Sequence, residues 1–339
     1  MSRGLRRAAL VGAACCLAAC ASPQTARNPN ADVNAVRKVA VLPFASTPDQ
    51  LRISGEWETL LLSLGYRVVE RGGVELLLKE QGLSVSGIVN PADAPRIGAL
   101  LGVEGILFGR PNPKEPYLSY TMTGMPRISE PPPLSVKLVD ASTSRMVWNA
   151  AADSPEKIKI SREGAAVDSA LRKSLSRTLS EGGWKFAPPP GYYMEQGKAV
   201  AAFNPGLNGA GLRVGVYTFS GGNDQGDGAS WADRFAGMLL AAGYDVVDRQ
   251  QLEKILAEQS ISAKGAIRPE DLARLGKVAG LKGIVFGEVY GRSVCAYGAK
   301  LVDAESGELY WSAYGEDCPL DDLSAMLRTA ARRAGGTPR

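Results

Sequence analysis

Thiols and carboxylates are the side chains with which this chain could do chemistry, because its 339 residues include no histidine. The absence of histidine excludes a Ser-His-Asp or Cys-His relay, a histidine general base and the usual mixed zinc site. After Cys20, which ends the N-terminal segment, the sequence contains two cysteines, Cys295 and Cys318. These are too few for a four-cysteine metal site. We therefore predict that the chain is not an enzyme and holds no cofactor and no metal.

Cys20 closes an N-terminal segment with the organisation of a secretion signal. Three arginines precede an apolar run over residues 8–19, which is too short to span a bilayer comfortably. The run ends in Leu17-Ala18-Ala19-Cys20, which resembles the lipobox of bacterial lipoproteins. This resemblance implies cleavage before Cys20 and attachment of lipid, including palmitate, to Cys20. Ala21 after the cysteine resembles lipoproteins sorted to the outer membrane, facing the periplasm. The alternative is an ordinary secretory signal cut near Ala21.

Cys295 and Cys318 flank a predicted hairpin and are candidates for a structural disulfide. If Ser306-Gly307 is its two-residue turn, the two cysteines lie directly opposite each other, within disulfide reach. A bulge would shift the pairing by one residue. An exported protein meets an oxidising compartment, so we predict the bond, with two buried free thiols as the alternative.

The net charge gives no sign of a polyanionic partner. The formal value is +4, but removal of the three signal arginines from 39 basic residues leaves 36 against 35 acidic residues. A balance this close to zero indicates neither nucleic acid nor an anionic membrane face as a partner. Membrane attachment is therefore expected through the lipid alone.

The rest of the chain is one sequence written twice, which indicates a pair of domains. Residues 64–71 return as 242–249, residues 103–109 as 281–287, and residues 137–141 as 300–304. In each copy, strands alternate with helices and are followed by a hairpin and a last helix. This order predicts an α/β domain with a mixed sheet between helices. The duplication also predicts a pseudo-twofold pair of domains within one chain.

The repeat divides the chain into five parts. We predict a lipoprotein signal peptide at residues 1–19 and a lipidated tether at 20–35. A first domain follows at 36–183, a linker rich in proline and glycine at 184–210, and a second domain at 211–339.

Residues 248–259 and 275–287, with the turn at 303–308, resemble the CsgG-like superfamily. That group includes the curli secretion lipoprotein CsgG, the penicillin-binding-protein activator LpoB and TolB N-terminal-like domains. The resemblance implies two tandem CsgG-like (TolB N-terminal-like) three-layer domains with mixed β-sheets. Arg71 and Arg249 each follow a strand and open a helix, where we expect them to pair with a carboxylate or the backbone.

The two copies differ most at an insertion over residues 110–133, which contains seven prolines. Members of the superfamily that form secretion channels place membrane hairpins near this point, and each hairpin needs two strands of about 9–11 residues. Only residues 117–125 are free of proline, which predicts one strand and therefore no pore. We predict a proline-rich surface loop that contacts a partner. The candidate partner-binding residues are Tyr117, Tyr120, Met122 and Met125.

The leading hypothesis is a membrane-anchored periplasmic lipoprotein that acts as a non-catalytic, protein-binding scaffold. It would serve assembly or export of an envelope or surface structure, with envelope proteins as partners and a homo-oligomer as its own assembly. The alternative is an LpoB-like activator of a peptidoglycan synthase, a penicillin-binding protein. A third hypothesis is an enzyme or small-ligand sensor that uses a cleft between the domains.

Overall fold

The first half of the chain contains eight strands and four helices among the residues that the structure describes. A computed structural model describes residues 24–42, 48–80, 93–110, 117–120, 126–129, 135–151, 169–207, 209, 211–223, 226–247, 249–261, 267–290, 296–316 and 320–333. The elements of the first half are β1 (Gln24–Arg27), a 3₁₀ turn (Val33–Ala35), β2 (Lys38–Val41), α1 (Pro48–Ser63), β3 (Arg67–Val69), α2 (Arg71–Glu80), α3 (Ala94–Leu101), β4 (Gly105–Arg110), β5 (Tyr117–Tyr120), β6 (Pro126–Ser129), β7 (Ser135–Asp140), β8 (Met146–Ala151) and α4 (Ser169–Glu181).

The described elements of the second half follow the same order, with β9, β12 and β13 added and without counterparts of β5 and β6. Its elements are β9 (Tyr193–Gln196), β10 (Ala199–Phe203), β11 (Arg213–Val216), β12 (Ser220–Asn223), β13 (Gly226–Asp227), α5 (Gly228–Ala241), β14 (Asp245–Val247), α6 (Arg249–Glu258), α7 (Pro269–Ala279), β15 (Gly283–Tyr290), β16 (Ala296–Asp303), β17 (Leu309–Glu316) and α8 (Leu320–Arg333).

Each half has one large mixed sheet, and six strands follow the same order in both, while β5 and β6 form a separate two-stranded sheet. The first sheet runs β1-β8-β7-β4-β2-β3, and the second runs β9-β10-β17-β16-β15-β11-β14, with β12 also paired to β15. In both sheets the central strand is parallel to its neighbours on one side and antiparallel on the other. The prediction of α/β architecture with mixed sheets is confirmed.

Helices cover both faces of each sheet, because both faces carry apolar side chains. In the first half, α1 and α4 pack on one face around Trp148, and α2 and α3 pack on the other around Ile106. In the second half, α5 and α8 pack on one face around Trp311. The opposite face is shared by α6 and α7 with α1, which belongs to the first half.

Two segments that we predicted to be a tether and a linker contain strands of the sheets. Residues 24–27 of the tether form β1, which pairs with β8, and residues 199–203 of the linker form β10, which pairs with β17. All five residues of β10 are buried. We predicted flexible segments here because proline and glycine lie nearby. The outer strand of each hairpin, however, has unpaired backbone groups, and β1 and β10 form hydrogen bonds with them.

Two glycines at helix exits are required by the backbone, as their positions in the sequence predict. Gly65 and Gly243 follow α1 and α5 with φ angles of +95° and +94°. A Cβ atom on Gly65 would lie 1.8 Å from the carbonyl oxygen of Phe186. A side chain at this position is therefore excluded by both the conformation and the space.

The same buried hydrogen bond occurs in both halves, between a tryptophan of the hairpin and a tyrosine that precedes a strand. The indole Nε1 of Trp148 donates to the hydroxyl of Tyr66 at 2.9 Å, and that of Trp311 donates to Tyr244 at 3.2 Å. Burial raises the pKa of Tyr244 to about 12 and that of Tyr66 further still, so both hydroxyls stay protonated.

We expect Tyr66→Phe to lower the free energy of unfolding by about 1–3 kcal/mol, because the buried indole N–H loses its acceptor. Urea denaturation followed by circular dichroism measures the change. Tyr244→Phe is the matched variant, with the same sign of effect and a smaller size because its hydrogen bond is longer. An unchanged midpoint for Tyr66→Phe would show that the hydrogen bond does not contribute to stability.

Candidate functional site

Most of the side chains predicted to act in lipidation, disulfide formation and partner binding lie outside the described residues. These are Cys20, Cys295, Cys318, Met122 and Met125. Lipidation and the disulfide therefore stay predictions. The described ladder pairs Ala296 with Glu316, one residue out of step with the register that would set the two cysteines directly opposite. The cause is a longer turn, in which Asp303 rather than Glu305 pairs with Glu308 and the register moves by two residues. A bulge between Leu301 and Val302 then moves the register back by one.

Tyr117 and Tyr120 lie in β5, where they pair with Ser129 and Pro126 of β6. The insertion thus contains two short strands rather than the single strand that we predicted. Proline was expected to exclude the second strand, but Pro126 occupies the first position of β6, where a strand tolerates proline.

Arg249 forms ion pairs, as its position at the start of a helix predicts. Its Nε lies 2.8 Å from Asp233 Oδ1, and its Nη1 lies 2.6 Å from Glu253 Oε1. The hydrogen bond that Arg249 donates to Asp233 is the main cause that raises the pKa of Arg249, although burial opposes it. Arg249 therefore links α5 to α6 and serves the fold.

The two halves of the chain meet at a contact surface that we call the junction, defined as α1 and β3 packed against β10, β16 and β17. In α1, every residue from position 56 to 63 is buried, so the helix has no solvent face over its last two turns. A helix that is buried all round lies between two packed layers. Here those layers are the sheets of the first and the second half.

Lys300 of β16 is the centre of one ionic cluster in the junction. Its Nζ lies 3.0 Å from Glu58 Oε2 in α1 and 2.8 Å from Glu70 Oε1 after β3. Glu58 is fully buried, and Lys300 is nearly so. Because a buried charge without a partner is costly, these groups hold each other in place.

Glu308, at the turn before β17, is the centre of a second cluster. It accepts two hydrogen bonds from the guanidinium of Arg67, one of them from Nε at 2.8 Å, and its Oε1 lies 3.5 Å from Lys38 Nζ. The hydrogen bond to Glu308 raises the pKa of Arg67, although burial opposes the shift. Arg67 therefore stays charged, in the two-point geometry that favours arginine over lysine.

Uncharged hydrogen bonds complete the junction. The hydroxyls of Thr59 and Ser312 lie 2.9 Å apart, and the amide of Glu70 donates to the carbonyl of Gly307 at 3.0 Å. The junction joins non-equivalent surfaces, because the first half contributes a helix and an edge strand and the second half contributes a sheet face. The predicted pseudo-twofold arrangement is therefore wrong, since a twofold requires the same surface on both sides.

The sequence led us to expect functional differences between the copies in loops and cysteines, whereas the junction residues lie in helices and strands. The signal was present inside the matched elements. The change of Arg67 to Asp245 and of Glu308 to Arg145 at corresponding positions reverses a pair of charges. A position that changes sign in a repeated element indicates a different surrounding, which in this chain is a contact between halves.

The part of the chain that the structure describes lacks both a metal-binding cluster and a membrane-spanning helix. This part of the chain has no cluster of three or more cysteine, aspartate or glutamate side chains that could hold a metal ion. Among the same residues, no helix is long and apolar enough to cross a membrane.

The comparisons with known proteins match one family model and several solved structures. Residues 214–317 match the family described as curli production assembly/transport component CsgG. The LpoB C-terminal domain from Escherichia coli is 18% identical over 33% of this chain and 87% of its own, with a TM-score of 0.28. Lipoprotein GNA1162 from Neisseria meningitidis is 18% identical over 38% of this chain and 99% of its own, with a TM-score of 0.28. The PelC dodecamer from Paraburkholderia phytofirmans is 16% identical over 40% and 94%, with a TM-score of 0.24. No curated protein matches the chain.

Proposed function

We propose, from the premise that residues 214–317 form a CsgG domain, that this chain is a non-catalytic lipoprotein scaffold of the cell envelope. Lipid on Cys20 would hold it at the outer membrane, facing the periplasm. Its two halves would present protein-binding surfaces for assembly or export of an envelope or surface structure. The observation that carries the proposal is the family match, because the family description names an assembly and transport component.

The junction supports the part of the proposal that calls the chain a scaffold. The ion pairs of Lys300 and of the buried Glu308, with the fully buried last turns of α1, hold the two halves in one arrangement. Interfaces that contain desolvated, paired charges select one register, since a slipped contact would leave charges unpaired. Surfaces on both halves would therefore be presented to partners at fixed separations.

The composition supports the non-catalytic part. With no histidine in 339 residues, the usual general base and the common nucleophile relays are absent from the sequence. We propose Tyr117 and Tyr120 in the β5–β6 hairpin, with Met122 and Met125 between the two strands, as the first place to look for a partner contact. Tyrosine and methionine are enriched in protein interfaces, which supports this choice.

Crosslinking in intact cells tests the proposal. A tagged full-length chain is crosslinked, recovered from the membrane fraction and analysed by mass spectrometry, beside Cys20→Ser and the double variant Tyr117→Ala, Tyr120→Ala. We expect Cys20→Ser to leave the membrane fraction and to lose lipid labelling. We expect the double variant to remain in the membrane while an envelope protein captured by the unmodified chain is lost.

The identity of the captured protein separates the hypotheses. A secretion or surface-assembly component supports the proposal, and a penicillin-binding protein supports the activator alternative. Recovery of no envelope protein above the level of the Cys20→Ser control would refute the scaffold function.

A further inference from the structure

Several junction residues have counterparts in the other half that face solvent. The backbone fixes the correspondence, since β4 pairs Phe108 with Lys137 as β15 pairs Phe286 with Lys300. We define the donor face as α5 and β14, the counterparts of α1 and β3. We define the acceptor face as β1, β7 and β8, the counterparts of β10, β16 and β17.

The apolar positions of the junction are exposed on the donor and acceptor faces. Leu62 of α1 and Leu309 of β17 are each 0% exposed. Their counterparts are Leu240, which is 57% exposed, and Met146, which is 41% exposed. These two are among the few exposed large hydrophobic residues in the described part of the chain. Large apolar side chains kept at exposed positions indicate a surface that becomes covered.

The charged pair of the junction is present on these faces with its signs exchanged. Where the junction has Arg67 on the donating side and Glu308 on the accepting side, the exposed faces have Asp245 and Arg145. An aspartate on one face and an arginine on the other would attract when the two faces meet. For this pair the exchange keeps opposite charges together. Lys38, the second partner of Glu308, corresponds to Arg213, which keeps its sign and lies 4.0 Å from Asp245 in the same half.

The two residues of the junction that pair through their hydroxyls have counterparts that differ from them in size, one smaller and one larger. Thr59 and Ser312 correspond to Gly237 and Asn149, so the helix position becomes smaller and the strand position becomes larger. A Cβ atom on Gly237 would meet no atom within 4 Å, which leaves room for a longer side chain from a facing sheet. Ala202, buried beneath α1, corresponds to Ala26, which is exposed and equally small.

We propose that the donor face of one copy of this chain docks on the acceptor face of a second copy, in the arrangement that the junction shows within the chain. The three pairs, apolar, charged and size-compensated, fit a second copy because each is complementary between the two faces. The contact is heterologous, so repeated addition closes a ring or extends a filament. This inference concerns self-assembly and goes beyond the proposed scaffold function.

The copy contact is expected to be weaker than the junction. Ala236 stands where Glu58 binds Lys300, so Lys137 on the acceptor face gains no carboxylate from that position of the donor helix. Association of the donor face of one copy with the acceptor face of another also costs translational and rotational freedom. The junction avoids this cost because its two halves belong to one chain. Association should therefore be reversible and depend on protein concentration.

Sedimentation velocity of the full lipidated chain in detergent micelles tests the inference. We expect species larger than one chain, and we expect Leu240→Glu or Met146→Glu to raise the dissociation constant by roughly 30-fold, the effect of a hot-spot substitution. Val278→Glu is the matched control. Val278 is 51% exposed on α7, and its counterpart Leu100 is 37% exposed, so the junction does not cover this position.

An exchange of charges gives a second test that does not depend on loss of association. Arg145→Glu and Asp245→Arg should each weaken self-association, and an equimolar mixture of the two variants should restore it, because each face then meets its opposite charge. Circular dichroism is expected to be unchanged, since both side chains are exposed. A single-chain mass at every concentration, equal effects of Leu240→Glu and Val278→Glu, or no recovery in the mixture would each overturn the proposal.

Discussion

Replacement of Lys300 by methionine should lower the free energy of unfolding by about 3–5 kcal/mol, because it removes the ammonium group that the carboxylates of Glu58 and Glu70 contact in the junction. Glu58 lies fully buried 3.0 Å from the Lys300 ammonium, and Glu70 lies 2.8 Å from it. Methionine has nearly the same side-chain volume as lysine, so the loss of stability measures the effect of removing the charge. Urea denaturation monitored by tryptophan fluorescence measures the change at a protein concentration where the chain is monomeric.

Lys137→Met is the matched control for Lys300. Lys137 occupies the corresponding position on the first sheet but is only half-buried, and its ammonium lies 5.9 Å from the centre of the Phe108 ring. We expect this variant to change stability by less than about 1 kcal/mol. Similar losses for the two lysines would show that the junction cluster adds nothing to the stability of the protein.

Truncation of Leu62 to alanine should cost about 2–5 kcal/mol of unfolding free energy, because it opens a cavity between two packed layers. Leu62 is 0% exposed, and α1 around it is covered on one side by its own sheet and on the other by the second. The expected loss is that of a core leucine, although the residue lies on the face that is exposed in the corresponding helix of the second half.

Leu240→Ala makes the comparison within one molecule. It is the same substitution at the corresponding position of α5, where the side chain is 57% exposed. We expect a change within about 0.5 kcal/mol in the monomer. The prediction fails if the two alanine variants unfold at the same denaturant concentration, since α1 would then not be buried between the sheets.

The elements and their order could be predicted from local patterns. Leu51, Trp57 and Leu64 recur at helical spacing within and just after α1, and apolar residues alternate in β7 and β8 on either side of residues 141–144. Such patterns succeed because helix and strand periods are properties of neighbouring residues. The duplication supports these predictions, because each helix and strand pattern occurs at matched positions in both copies.

The strands β1 and β10 could not be predicted in the same way. Both are short and lie next to proline or glycine, and each pairs with a hairpin strand more than 100 residues further along the chain, although β10 also pairs with the neighbouring β9. What makes each a strand is the open edge of a hairpin formed by a distant part of the chain. The bulges that shift the register of both hairpins are missed for the same reason, because they depend on how two strands pack.

The sequence by itself determined that the chain holds no histidine-based site, that its second half has a CsgG-type pattern, and that the two halves share one order of strands and helices. The tertiary structure decided how the halves meet. Residues 62 and 240 are both leucine at the same place in the same helix, and local chemistry cannot distinguish them. One is buried and one is exposed because only α1 has a second sheet against its outer face. Burial is a property of what packs from outside the segment, so the junction, and the exposed faces that correspond to it, became visible only when the two sheets were placed together.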